Sequence, residues 1–134
     1  MQRRSDGTEI NIDTEVWLGD SMGEMFAYLA MCDVAFIGGS LVPVGGQNLI
    51  EPCAMGKPVL MGPSDFNFVD AAKQAEATGA MIRVSDANHL AITARAFLDD
   101  SGRAVIMSER ALAFAAQHRG ATSKTMDFVT HFLT

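Results

Sequence analysis

The chain has 134 residues, 49% of them hydrophobic, a net charge of −6 and a pI near 4.8. That is enough apolar material for a single domain over 1–134 with its own core. The acidic balance and the lack of a basic stripe argue against a nucleic-acid partner, though not against a membrane neighbour. No apolar run reaches the ~18 residues that a spanning helix needs, and the Met1-Gln-Arg-Arg start lacks the apolar centre of a signal peptide. Cys32 and Cys53 have neither the density nor the spacing of a disulfide or zinc framework, and read as buried free thiols in a reducing compartment.

In chain order, Met1 to Asp13 shows little apolar periodicity and reads as an irregular tail or the remnant of an earlier element. Glu15-Val-Trp-Leu18 suits a short strand, and Gly19 to Gly23 a turn. Ser21 is placed to cap a helix over about Gly23 to Met31, with Glu24 three residues on as the acidic partner of a capping box. Asp33 to Ile37 is β-rich and predicts a buried strand. Gln47 to Met55 has the composition of a helix, and Gly56-Lys-Pro-Val-Leu-Met-Gly-Pro63 of a strand between breakers. Ser64 to Phe68 is a loop with two aromatics, which either meet a ligand or fold back as a lid, while Asn67 bonds its own backbone. A helix from about Val69 to Thr78, a strand over Gly79 to Val84, and a helix capped by Ser85-Asp86 and running to about Leu98 follow. Asp99 to Gly102 breaks the chain before a helix from about Arg103 to Gln117. The last helix spans about Ser123 to Leu133, with apolar residues at Met126, Phe128, Val129, Phe132 and Leu133. His89, His118 and His131 lack metal-ligand spacing.

Strands alternating with helices specify parallel βαβ units with helices on both faces, hence an α/β, Rossmann-like sheet. Ligands of such sheets bind beyond the carboxyl ends of the strands, where the loops after Leu18, Ile37 and Met61 all fall. The loop after Ile37 is the richest of them. Gly38, Gly39, Gly45 and Gly46 let the backbone approach a ligand, and the helix expected at Gln47 would offer unpaired N–H groups to an anion. Neither G-x-G-x-x-G nor a phosphate loop ending in Gly-Lys-Ser/Thr is present. Asn48 and Glu51, three residues apart, would share a helical face. Glu51 has two readings: complement of the helix dipole, or acceptor for a vicinal diol such as a ribose.

Gly38-Gly-Ser, then Gly45-Gly-Gln-Asn-Leu-Ile-Glu-Pro52, then Pro58-Val-Leu-Met-Gly-Pro63 and Phe66-Asn-Phe68 resemble the C-terminal domain of 3-deoxy-D-manno-octulosonic acid (Kdo) transferases, from about Ser5 to the end. The resemblance implies the donor-binding half of a two-domain GT-B glycosyltransferase of lipopolysaccharide synthesis, on the cytoplasmic face of the inner membrane of Gram-negative bacteria. It implies CMP-Kdo as donor, a lipid A precursor as acceptor in the other half, and no cofactor or metal. Carried over, Glu51 would accept the ribose hydroxyls of the cytidine. Asn48 and the amides of Gly45, Gly46 and Gln47 would cradle the phosphate beside Gly39, and Ser40 would hydrogen-bond near it. Ser21, Met22 and Gly23 would face the sugar nucleotide, whereas Glu24 is explained equally by capping.

Two departures stand out. Family members often carry His where this chain has Gln47. The family's catalytic base and acceptor site belong to the N-terminal half, and only about four strands are legible here. The expectation is a soluble fragment lacking its first strands, inactive alone, and able to pair its open edge with another copy. A UDP-sugar transferase or nucleotide-sugar epimerase of the same architecture, or a non-catalytic α/β binding module, are the rival readings.

Overall fold

The computed structural model describes residues 1–133, with side chains described for all of these except 121–124, 132 and 133. Among the described residues five short strands and six α-helices follow in the order β1 (Gln2–Arg3), β2 (Trp17–Leu18), α1 (Met25–Met31), β3 (Ala35–Phe36), α2 (Ile50–Ala54), β4 (Val59–Met61), α3 (Val69–Ala77), β5 (Met81–Arg83), α4 (Ala87–Asp99), α5 (Ser101–His118) and α6 (Ala121–Leu133), alternating from β2 to α4. β3, β4 and β5 form one parallel sheet in that order, with Ala35 opposite Val59, and Leu60 opposite Ile82. β1 and β2 form a separate parallel pair, Gln2 opposite Trp17.

β4 is the centre because both of its faces are apolar. Val59, Leu60 and Met61 are all buried, as expected of a parallel strand covered on both sides. Alternation along the strand divides the core. Val59 and Met61 join Ile37, Leu49, Cys53, Ala72, Ala75, Met81 and Phe114, which come from α2, α3, α5 and their neighbours. Leu60 joins Phe97 and Met107 of α4 and α5. Ala72, Ala75 and Ala111 are the small residues in the first layer, and they let helices sit close to the sheet.

Several expectations are corrected. Gln2 and Arg3, inside the segment expected to be irregular, pair with β2, and a 3-10 turn over Arg4–Asp6 follows. α1 starts at Met25 with Glu24 as its cap residue, because Gly23 takes φ +79° and interrupts the chain one position earlier. The capping box is therefore not formed: the Ser21 hydroxyl bonds the Glu24 carboxylate and the Tyr28 hydroxyl instead of a backbone N–H. α2 is only five residues long. Asn48 Oδ1 accepts the Ile50 N–H at 3.0 Å and fixes the start, Pro52 is tolerated in a first turn that needs no N–H donor, and Gly56 at φ +64° ends it. Asn48 thus precedes the helix and does not share a helical face with Glu51.

Asp86 caps α4 as expected, accepting the His89 N–H at 2.8 Å. Asp100 does the same for α5 through Arg103 at 3.1 Å. The Phe132 and Leu133 side chains of the last helix lie outside the described residues, and Met126, Phe128 and Val129 are exposed. Among the described residues no helix is long and apolar enough to cross a membrane.

Candidate functional site at the carboxyl edge of β3

From Ile37 the chain leaves β3 and makes a turn through 38–44, then an irregular passage through 45–48 into α2. Gly45 and Gly46 are buried at φ +92° and +70°, a region open to glycine and hostile to side chains. A Cβ on Gly45 would lie 2.6 Å from both Asn67 Nδ2 and the Phe66 ring, and one on Gly46 would lie 2.6 Å from the Met61 methyl. The positive φ demands glycine at these two positions, and any side chain there would also have to displace its neighbours.

A cavity of about 390 Å³ opens beside this loop, lined by Met25 and Leu29 of α1, Ala35 to Gly38 of β3 and its exit, and Gln47, Asn48, Glu51 and Pro52. Three of the polar residues singled out in the sequence are therefore brought together: Gln47 exposed, Asn48 and Glu51 half-buried. With its Oδ1 accepting the Ile50 N–H, Asn48 keeps its amide nitrogen as a donor for a ligand. Glu51 supplies acceptors, and Met25, Leu29 and Phe36 supply an apolar wall. An amide donor, a carboxylate and an apolar wall can hold a molecule that combines a flat or aliphatic face with hydroxyl groups.

The other expected contacts fall elsewhere. Ser40 is fully buried and serves the fold: its hydroxyl donates to Ile37 O at 2.5 Å and accepts the Gly62 N–H at 2.8 Å, tying the exit of β3 to that of β4. Such a hydroxyl cannot reach a phosphate in this structure. The N–H of Gly45 donates to Ser64 Oγ at 3.0 Å and that of Gly46 to Gly39 O at 3.2 Å, so neither amide is turned outward as the phosphate cradle requires. Ser21, Met22 and Gly23 are not among the residues lining the cavity. Ser21 is held by Glu24 and Tyr28, and this hydroxyl, aided by Arg4 at 3.2 Å, keeps the Glu24 carboxyl below its ordinary pKa although desolvation works the other way.

Sequence reasoning missed the support of the loop. Asn67 bonds not its own backbone but two carbonyls of the glycine loop, Val44 O at 3.1 Å and Gly46 O at 3.3 Å. Arg83, at the end of β5, donates to Gly62 O, Asp65 and Glu76, each at 3.0 Å. Burial works against its charge, and the two carboxylates more than offset that, raising its pKa. Phe68 packs on the core, while Phe66 lies over Gly45 and stays exposed. Apart from Arg83–Glu76, seven positions apart, these contacts link residues about twenty apart, and only the Phe-Asn-Phe motif hinted at them.

Parallel α/β layers with a polar and apolar cavity at the carboxyl end of an edge strand define a Rossmann-like ligand-binding domain. Residues 1–114 match the sequence model of the glycosyl transferases group 1, and the chain belongs to that family. It is similar to the 3-deoxy-D-manno-octulosonic acid transferase of Bordetella pertussis, 48% identical over 132 residues that make up 98% of this chain and 31% of that protein. The enzyme of the same name from Haemophilus influenzae is 34% identical over the same shares. Among solved structures, the C-terminal CMP-Kdo binding domain of WaaA from Acinetobacter baumannii matches with a TM-score of 0.76 at 34% identity, covering 87% of this chain and 60% of that one. The chain spans about a third of the length of the curated relatives it matches.

Proposed function

We propose that this chain is the donor-side domain of a Kdo transferase and holds CMP-Kdo in the cavity beside β3. The observation that carries the reading is the convergence of Gln47, Asn48 and Glu51 on that cavity, in a chain similar over 98% of its length to a Kdo transferase. Glu51 accepts hydrogen bonds from the ribose hydroxyls of the cytidine, and the Asn48 amide donates to the nucleotide's phosphate. Gln47, a neutral amide where relatives often have His, adds a hydrogen bond without a proton to give.

The reaction is displacement at the anomeric carbon. An acceptor hydroxyl oxygen of a lipid A precursor forms the new bond, the bond from that carbon to the phosphate oxygen breaks, and CMP leaves with its electron pair. A base in the other half of the whole protein takes the hydroxyl proton. CMP-Kdo is a substrate, and we infer neither a cofactor nor a metal. The whole protein would work at the cytoplasmic face of the inner membrane. This chain alone would bind donor without transferring it, and would pair its open sheet edge with a second copy. Nothing in the cavity specifically favours a UDP-sugar enzyme, an epimerase or a non-catalytic module.

Calorimetric titration of the chain with CMP, UMP and CMP-Kdo tests the reading. CMP is expected to bind more tightly than UMP, and Glu51→Ala to weaken CMP by roughly 1–3 kcal/mol, the loss of a partly buried hydrogen-bonding group. Equal affinity of wild type and Glu51→Ala would remove Glu51 from the site. Silence toward every nucleotide, persisting in a chain extended to the length of the relatives, would sink the Kdo transferase reading.

A further inference from the structure

The Phe-Asn-Phe loop takes no part in the cavity, yet it is bonded throughout to the loop that does. Asn67 Nδ2 donates to Val44 O at 3.1 Å and Gly46 O at 3.3 Å, the Asn67 N–H donates to Gly45 O at 3.4 Å, and Ser64 Oγ accepts the Gly45 N–H at 3.0 Å. These contacts grip Val44, Gly45 and Gly46 from one side, immediately before Gln47 and Asn48 enter the cavity. Gly45 and Gly46 are two adjacent glycines with wide conformational freedom, so an ungripped chain would spread over many backbone states here.

We propose that Asn67 is a positioning residue of the donor site, fixing the backbone at Gly45–Gly46 so that Gln47 and Asn48 stand in register with Glu51. The inference rests on the donor-site reading above. Asn67 itself is exposed, and neither it nor Ser64 lines the cavity. Its effect passes through the loop. Arg83 holds the segment that leads into Asn67, through Gly62 O and Asp65, so the gripping side is anchored to β5.

An amide is required rather than any polar group. The two carbonyls need two N–H donors on one nitrogen, which Asn supplies and a carboxylate of the same shape does not. Asn67→Asp would set negative charge against two carbonyl oxygens while keeping the volume, and Asn67→Ala would remove the group altogether.

The test uses this chain with CMP as probe, together with amide NMR spectra and amide hydrogen exchange. In both variants the Gly45 and Gly46 amide signals are expected to shift and exchange faster, CMP to bind about tenfold more weakly, and the amides of β4 to stay as in wild type. Should Asn67→Ala fail to fold, Asn67→Asp, equal in shape, carries the test. Unchanged Gly45–Gly46 signals, or wild-type CMP affinity in Asn67→Asp, would overturn the proposal. Wild type silent toward CMP would instead overturn the donor-site reading and the positioning role with it, while the amide signals would still show whether the grip exists.

Discussion

Cys53 is fully buried on α2, with its Sγ 4.0 Å from Ala80 O, and burial pushes its thiol up to about 12 from an ordinary 9.0. The folded state therefore holds this proton more firmly than the unfolded chain. Its contribution to stability is complete below about pH 9 and is lost as pH rises from there toward 12, at no more than about 1.4 kcal/mol per pH unit. Denaturation midpoints of wild type should fall more steeply between pH 9 and 10.5 than those of Cys53→Ala, whose lower baseline reflects only the lost packing. Parallel slopes would assign the alkaline loss to other groups, among them Cys32, which burial also raises. Cys32, expected to be buried as well, is only half-buried at the end of α1. The buried thiol of Cys53 was legible because an apolar context needs no partner to be recognised. Ser40 was not: one hydroxyl beside glycines reads equally as a ligand contact or as a strap, and only the positions of Ile37 O and the Gly62 N–H decide for the strap. Glu51 and Asn48 were read as site residues from their types, and the cavity places them together, but the Asx bond to Ile50 that fixes Asn48 could be seen only in the fold.

Elements with internal repetition were readable, and those made by distant partners were not. β4, α3, α4 and α5 carry apolar patterns of their own, α4 and α5 also carry caps, and Asp86 was predictable because it bonds a residue three positions away. β1 has two residues and no period, and its partner β2 is fifteen positions on. Its own ties are the Gln2 N–H, which donates to Val16 O at 2.9 Å, and the Gln2 side-chain oxygen, which accepts the Asn11 N–H at 2.7 Å, while a polar cluster holds the turn after it. The Ser5 N–H and hydroxyl donate to Asp20 at 2.9 and 2.6 Å, and Arg4 meets Glu24 at 3.2 Å. The hydrogen bonds from Ser5 hold the Asp20 carboxyl below its ordinary pKa, so its support for this segment is present above about pH 4 and lost as pH falls through the lowered value. Asp20→Ala should therefore free the turn after β1 at neutral pH. Amide exchange at Ser5 is expected to speed up while exchange in β4 stays slow. An unchanged Ser5 amide would mean that the β1–β2 pairing holds the segment without the carboxylate.

For the whole molecule, surface area is the informative quantity. A compact monomer of 14.3 kDa exposes about 6,800 Å², whereas this chain exposes 8729 Å². The excess, roughly 1,900 Å², is more than one partner's share of a standard protein–protein interface, about 800 Å². Much of what is exposed is apolar: Val16, Leu18, Met25 and Phe36 sit on or beside β2, α1 and β3. β3 also ends its sheet. Ala35 and Ile37 donate to Pro58 and Leu60 on the β4 side, which leaves the alternate backbone groups, at Phe36, directed to an open edge. An open parallel edge beside apolar side chains is a template for another strand. The sheet order could not be read from the sequence, since nothing local says which strand ends a sheet. The chain in isolation is expected to associate as its concentration rises, and Phe36→Lys, which puts a charge on that edge, to shift it toward monomer. Light scattering over a concentration series decides this. A wild-type chain that stays monomeric throughout would show that the edge is guarded in solution, and equal association of Phe36→Lys would place the contact elsewhere, with the exposed Met126, Phe128 and Val129 of α6 as the next surface to alter.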